Sequence, residues 1–110
     1  MAFTAYHNIT GSSGVTIELL APGDGANEIK SILIANTHAT ADATVSLFIQ
    51  DDPASGATNT FYMFKTVAIP SDTSLLLDNN DMLSFDNGSD GYGLYLTVGS
   101  SDTLDVLIKR

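Results

Sequence analysis

The residues best suited to chemistry lie in SFDNGSDGYG, residues 84–93, where two aspartates alternate with asparagine and glycine. Carboxylate and amide oxygens at this spacing are the ligands that Ca²⁺ prefers. Aligned from Asp86 as an EF-hand loop, the stretch places Gly91 at the sixth position, where that loop needs glycine for its sharp turn. Gly88 and Thr97 then fall at the third and twelfth positions and supply no carboxylate, and the flanking segments are strand-like. The sequence therefore excludes an EF-hand.

Two other interpretations of these acids stay open. In the first, Asn87-Gly88 and Asp90-Gly91 form tight turns between strands, because both pairs tolerate the backbone conformations that such turns require. In the second, acids from adjacent turns converge on a calcium ion, and the candidate ligands are Asp78, Asp81, Asp86 and Asp90. The turn is the simpler interpretation, since it needs no convergence of separate segments. Calcium is the one cofactor that the sequence leaves open.

No set of residues has the spacing of a catalytic site. His7 and His38 lie in separate segments, without carboxylates spaced as ligands or triad partners. Asp51 and Asp52 are adjacent, and neighbours on a strand end point to opposite sides, so they are poor partners for sharing a proton. The chain lacks a Gly-x-Ser-x-Gly elbow and a glycine-rich phosphate loop, and it contains no cysteine. We therefore predict a protein that is not an enzyme, with no catalytic residues.

Composition and charge exclude two classes of partner. The chain has 13 acidic and only 4 basic residues, which gives a formal net charge of −9. Phosphates are neutralised by basic patches, so we predict no binding to nucleic acid or to an anionic membrane. The segment MAFTAYHNITGSS has neither the basic nor the apolar region of a signal peptide, and no apolar run approaches the roughly 18 residues of a membrane helix. These features favour a soluble protein made in the cytoplasm from Met1.

Alternation of apolar and polar residues determines the predicted architecture. Strand-like segments recur along the chain between clusters of glycine, proline, asparagine and aspartate. The segments are 3–9, 15–20, 28–37, 43–50, 60–69, 73–78, 81–86, 92–99 and 103–110. Strands that bury one face need a second sheet to cover that face. Residues 1–110 are therefore predicted to form one all-β domain, a single antiparallel β-sandwich of eight or nine strands.

The order of the strands is not readable from alternation. A jelly roll and an immunoglobulin-like sandwich both fit the pattern. Asn-Gly and Asp-Gly pairs favour a meander of hairpins for the last four strands.

One segment is more apolar than a single buried face requires. Residues 60–69 are apolar on both faces, and alternation predicts Tyr62 and Phe64 on one of them, with Tyr95 nearby. A core or a homo-oligomer interface is the preferred interpretation. A carbohydrate-binding platform typically contains tryptophan, and this chain has none. The interface candidates are Phe61, Tyr62, Phe64 and Tyr95.

Three segments carry a resemblance to a known class of proteins. IANT (34–37), AIPSDTSLLLD (68–78) and SSDTLDVLIKR (100–110) resemble small virion structural proteins of tailed bacteriophages. The composition, low in lysine and rich in aspartate, looks like that of marine phage proteins. The resemblance implies a cofactor-free β-sandwich that forms homo-oligomers, docks to other virion proteins in the head, neck, tail or baseplate, and is assembled in the host cytoplasm. The alternative is a carbohydrate- or calcium-binding β-sandwich module.

Overall fold

A computed structural model describes residues 5–10, 15–25, 29–51, 59–79, 83–88, 91–98 and 103–109. The described residues form eight strands, and every pairing between them is antiparallel. The strands are β1 (Ala5–Thr10), β2 (Val15–Leu20), β3 (Ser31–Asn36), β4 (Ala43–Asp51), β5 (Thr60–Ile69), β6 (Thr73–Leu77), β7 (Tyr92–Val98) and β8 (Thr103–Lys109). The prediction of an all-β antiparallel sandwich is confirmed.

The strand order is that of a jelly roll. One sheet, called sheet A, has the order β1-β8-β3-β6, and the other, sheet B, has the order β2-β7-β4-β5. The pairs β4-β5, β3-β6, β2-β7 and β1-β8 nest inside one another, as in a single long hairpin rolled so that successive pairs fall in opposite sheets. An immunoglobulin sandwich puts its first two strands in the same sheet. Here β1 and β2 lie in different sheets, so the structure resolves the alternative that alternation left open.

Strict alternation fills the space between the sheets. Every second residue of β3 and β8 is buried, and the inner face of β4 continues the pattern with Val45 and Leu47, both at 0% exposure. The buried side chains form one cluster to which both sheets contribute. Burial of a side chain such as valine or leucine stabilises a fold by about 1.5–3 kcal/mol, so this cluster is what joins the sheets.

Two predictions about the second half of the chain are wrong. Of the last four predicted strands, the three that form are β6, β7 and β8, and they alternate between the sheets, so they make no meander of hairpins. The predicted strand 81–86 does not form over its described part, residues 83–86. Leu83 is buried and Phe85 packs against the core, but the N–H of Leu83 donates to the carbonyl of Asn79, as in a helical turn. The apolar alternation here belongs to a loop whose apolar side chains pack into the core.

Strand β5 lies at an edge of sheet B and contains two bulges. Leu47 pairs with Phe64 and Phe48 with Tyr62, so Met63 has no opposite residue on β4. A second shift follows between Val45 and Leu47. There Thr66 adopts a φ of 58°, which is rare for a β-branched residue, and its N–H donates to Ser46 Oγ at 2.9 Å. Bulges twist an edge strand and hinder uncontrolled pairing with other strands.

Candidate functional site

The acidic stretch of the sequence is held together by a buried asparagine. Asn87 is 0% exposed, and its Nδ2 donates to the carbonyls of Ala21 at 2.9 Å and Tyr92 at 2.8 Å. Its own carbonyl accepts the N–H of Gly23 at 2.9 Å. Asn87 therefore ties two connections and the start of β7 into one unit, and the described part of the stretch, residues 84–88 and 91–93, has a structural role.

Asp86 is a turn residue in this arrangement. Its Oδ1 accepts the N–H of Gly88 at 2.9 Å, and its carbonyl accepts the N–H of Tyr92 at 2.7 Å. A Cβ at Gly91 would lie 2.4 Å from the Asp86 carbonyl oxygen. Gly91 is needed because the backbone approaches so closely, which gives this glycine a structural reason unrelated to a metal.

The structure describes two of the four candidate calcium ligands. Asp78 is exposed just after β6, and Asp86 is exposed in the turn. Asp81 and Asp90 lie outside the described residues. Within the described ranges, no three histidine or acidic side chains are grouped as metal ligands. The calcium site stays a hypothesis, and the turn stays the preferred interpretation.

The two histidines and Asp51 each form hydrogen bonds with backbone groups. His7 Nε2 lies 3.1 Å from the carbonyl oxygen of Leu19, so it bridges the two sheets at their edge. His38 Nδ1 accepts the N–H groups of Thr40 and Ala41 at 3.1 and 2.9 Å. Asp51 accepts the backbone and side-chain N–H groups of Asn59, and so closes the connection between β4 and β5. Asp52 lies outside the described residues.

A second buried asparagine was not among the residues chosen from the sequence. Asn36 is 2% exposed at the end of β3. Its Nδ2 donates to the carbonyls of Ala41 and Ile69 at 2.9 and 3.0 Å, and its Oδ1 accepts the N–H of His38. The signal was present in the sequence, because Asn36 follows Ile32 and Ile34 in the buried phase of β3. A polar residue in that phase must have internal hydrogen bonds.

Aromatic rings form a row across the outer face of sheet B. Cross-strand register aligns Tyr95, Phe48 and Tyr62, which we call the aromatic row. Phe48 lies between the other two, with ring centroids 5.7 Å from Tyr95 and 5.2 Å from Tyr62. Glu18 Oε2 accepts from the Tyr95 hydroxyl at 3.3 Å, and Lys65 Nζ lies 5.1 Å from the Tyr62 centroid. Phe48 is only 6% exposed, so the row packs against itself.

The four interface candidates are not brought together on one face. Tyr62 pairs with Phe48, and Phe64 pairs with Leu47, so the two rings point to opposite sides of the sheet. The prediction that they share a face is wrong, because the bulge at Met63 breaks the period of two between them. Phe64 packs against the core.

Phe61 has a different setting from the other candidates. It pairs with Ile49, is 55% exposed, and makes an edge contact with Tyr92 at 5.9 Å between ring centroids. Tyr95 lies beside Phe48 in the aromatic row. Tyr62 and Tyr95 therefore share a face on either side of Phe48.

A second row lies on the outer face of sheet A, and sequence reasoning missed it. Register aligns Tyr6 with Leu107, Leu107 with Leu33, and Leu33 with Leu76, one residue from each strand. We call these four residues the apolar row. Tyr6 is 65% and Leu76 is 55% exposed. Each residue lies in the outward phase of its strand, which the sequence indicates, but only the register shows that the four are neighbours.

A shallow cavity adjoins one end of the apolar row. It has a volume of about 290 Å³ and is lined by Tyr6, Asn8, Asp105 and Leu107 together with two residues behind them. Asn8 Nδ2 donates to Asp105 Oδ1 at 2.6 Å. The cavity therefore has a polar wall next to an exposed ring.

Charge is distributed unevenly between the strands and their connections. Glu18, Asp51 and Asp105 are the acids on strands, and the other acids occur in the sequence between strands. The outward residues of the sheet A strands include one acid, Asp105, and one base, Lys109. In the described part of the chain, no helix is long and apolar enough to cross a membrane.

These features define a jelly-roll sandwich with nearly neutral outer faces and acidic connections. No protein-family model matches the chain, and no curated protein matches it. Among solved structures, the chain is similar to the Anabaena sensory rhodopsin transducer, with 13% identity and a TM-score of 0.45. The match covers 100% of this chain and 98% of the other. A similarity at this level carries no argument about function.

Proposed function

We propose that the chain is a non-enzymatic structural protein of a tailed-phage particle, located in the head decoration, neck, tail or baseplate, that acts by oligomerisation and docking. The observation that carries this proposal is the set of large apolar side chains on the outside of a two-sheet frame. Tyr6, Phe61, Tyr62 and Leu76 are each between 49% and 65% exposed. Tyr6 and Leu76 end one row across sheet A, and an exposed apolar row is typical of a surface that a partner covers.

The resemblance gives the proposal its biological setting. Jelly rolls occur in viral capsid domains but also in lectins, and a fold alone does not determine function. The three segments that resemble tailed-phage proteins overlap β3, β6 and β8, which are adjacent in sheet A, and one of them also includes the last two residues of β5. The apolar row crosses β3, β6 and β8 and ends on β1. This coincidence favours a virion assembly role over a secreted binding module.

The proposal is tested on particles. Phage encoding this chain would be purified on density gradients, and its particles would be digested for mass spectrometry beside the unassembled fraction of the same infection. We expect peptides of the chain in the particles, at a constant ratio to a known virion protein across the gradient peak. Peptides confined to the unassembled fraction would contradict a virion role.

A further inference from the structure

We propose that the outer face of sheet A is a self-association surface, on which two copies of the chain pair about a twofold axis that runs along the apolar row. This inference rests on the proposed function, because it names the surface through which the chain oligomerises. The occupant of the face is a second copy of the same chain.

The apolar row has less cover than the aromatic row. Tyr6 and Leu76 mark its two ends and are more than half exposed, while Leu33 and Leu107 between them are half-buried by their neighbours on the sheet. By contrast, Phe48 in the aromatic row is almost fully covered by Tyr62 and Tyr95. Apolar surface in water gains about 25 cal/mol per Å² when it is buried. The face of sheet A therefore has more to gain from a partner than the face of sheet B.

Charge favours a second copy as that partner. The net charge of −9 makes copies repel each other through their acidic connections. Among the described residues of the sheet A strands, the charged ones in the outward phase are Asp105 and Lys109, which flank Leu107 at two residues on either side along β8. A neutral face suits a neutral partner face, whereas a basic partner would be drawn to the acidic connections. Two copies thus repel least when they approach through a nearly neutral outer face, and of the two outer faces that of sheet A has the more exposed apolar row.

The same two charges select the direction of the axis. A twofold axis along the row reverses the strand direction between copies and places Asp105 opposite Lys109 of the partner subunit, twice by symmetry. An axis along the strands, midway between β8 and β3, would instead place β8 opposite β3 of the partner subunit, so that neither Asp105 nor Lys109 would meet an opposite charge. Opposite charges across an interface fix its register and suppress other arrangements. The leucines at the centre of the row then pack on their own copies.

The area of the face predicts a weak, concentration-dependent pair. Four strands spaced by about 4.8 Å, each with about six residues rising about 3.3 Å, cover roughly 400 Å² in projection. A standard interface buries about 800 Å² of each partner, and smaller ones belong to transient complexes. We therefore expect dissociation constants in the micromolar range or weaker. Neighbouring virion proteins would then hold the pair in a particle.

The test is sedimentation equilibrium of the full chain and three charge variants over a wide range of concentration. We expect Asp105→Lys and Lys109→Asp each to weaken pairing by about tenfold, because each places like charges opposite one another at two symmetric contacts. The double variant Asp105→Lys/Lys109→Asp restores opposite charges and should return to within about threefold of the wild type. It also keeps the net charge of −9. If overall repulsion governed association, Asp105→Lys would strengthen pairing, since it removes two units of negative charge.

Two further variants separate the surface from the fold. Glu18→Lys makes the same change of net charge on the outer face of sheet B and should leave pairing within about threefold of the wild type. Leu76→Ser changes no charge and should weaken pairing by about fivefold or more, since it removes an exposed apolar end of the row. Thermal unfolding of each variant shows that it is folded, which matters for Asp105 because it accepts the hydrogen bond of Asn8.

Three outcomes would overturn the inference. They are a wild type that is monomeric at every concentration, a double variant as weak as the single ones, and an equal effect of Glu18→Lys and Asp105→Lys. A wild type that is always monomeric would mean that a different virion protein, and not a second copy, covers the apolar row. None of these outcomes bears on whether the chain is in the particle, which mass spectrometry of purified particles decides independently.

Discussion

The two outer faces of the sandwich cover their large apolar side chains to different extents. Each carries a row of large side chains that crosses its sheet, one residue from each strand of the row. In sheet B the rings of Tyr62 and Tyr95 cover Phe48, so the row is a small satellite core. In sheet A the apolar row ends in Tyr6 and Leu76, which solvent reaches. The aromatic row is covered at its centre by its own rings, and the apolar row, with its exposed ends, is the one through which we propose self-association.

The largest difference in stability between the faces is expected when Phe48, at the centre of the aromatic row, and Leu76, at one end of the apolar row, are each truncated to alanine. Phe48→Ala removes the ring on which both tyrosines pack and should lower the free energy of unfolding by about 3 kcal/mol. Leu76→Ala should change it by no more than about 0.5 kcal/mol, because more than half of this side chain is already in water. Chemical denaturation of both variants measures the difference. Equal losses of unfolding free energy would mean that the two rows contribute alike to the stability of the monomer.

The strands were predictable from the sequence because alternation reports which side chains are buried. The segments 15–20 and 60–69 coincide with β2 and β5. The strand order was not predictable, since the nested pairing of β1 with β8 depends on contacts at the greatest separation in the chain. The bulge at Met63 was not predictable either, because nothing in the sequence TFYMFKTVAI shows where an extra residue is inserted.

In the candidate site, too, local features were predictable from the sequence and long-range contacts were not. The sequence indicated that SFDNGSDGYG forms a turn, and Asp86 and Gly91 do so through local bonds and a close backbone approach. The role of Asn87 depends on Ala21, which is distant in the sequence, so local patterns could not reveal it. The apolar row combines four segments through register. Patterns within one strand are therefore readable, but rows across strands are not.

The buried asparagine Asn87 lies on neither outer face, and it provides a control for the comparison. Asn87→Ala removes the Nδ2 group that donates to the carbonyls of Ala21 and Tyr92, and the Ala21 carbonyl keeps only the N–H of Asp24. We expect a loss of about 2 kcal/mol, the cost of two lost hydrogen bonds at a part-buried site. The matched variant Asn8→Ala, at an exposed asparagine, should cost no more than about 0.5 kcal/mol. Thermal or chemical unfolding measures both, and a similar loss for the two would contradict the assignment of Asn87 as a buried tie.

A smaller effect is expected where the aromatic row meets its polar end. Tyr95→Phe keeps the ring beside Phe48 and removes the hydroxyl that donates to Glu18 at 3.3 Å. The bond is exposed, so its loss should lower stability by only about 0.5 kcal/mol. Tyr95→Ala, in contrast, should cost at least about 2 kcal/mol, because it uncovers Phe48. If Tyr95→Phe were as destabilising as Tyr95→Ala, the hydroxyl and not the ring stacking would hold the row.

The smallest effect is expected from calcium, which should act on neither face. Asp86 Oδ1 already accepts the N–H of Gly88, so an ion that used this oxygen would have to replace a bond that shapes the turn. Any ligand that prefers the folded state raises stability by mass action, by about 2.7 kcal/mol at a hundred times its dissociation constant. We therefore expect the melting temperature in millimolar Ca²⁺ to equal that in millimolar Mg²⁺. A rise of several degrees with Ca²⁺ alone, abolished by Asp86→Asn, would locate a metal at the acidic connections and favour a calcium-binding module over an assembly protein.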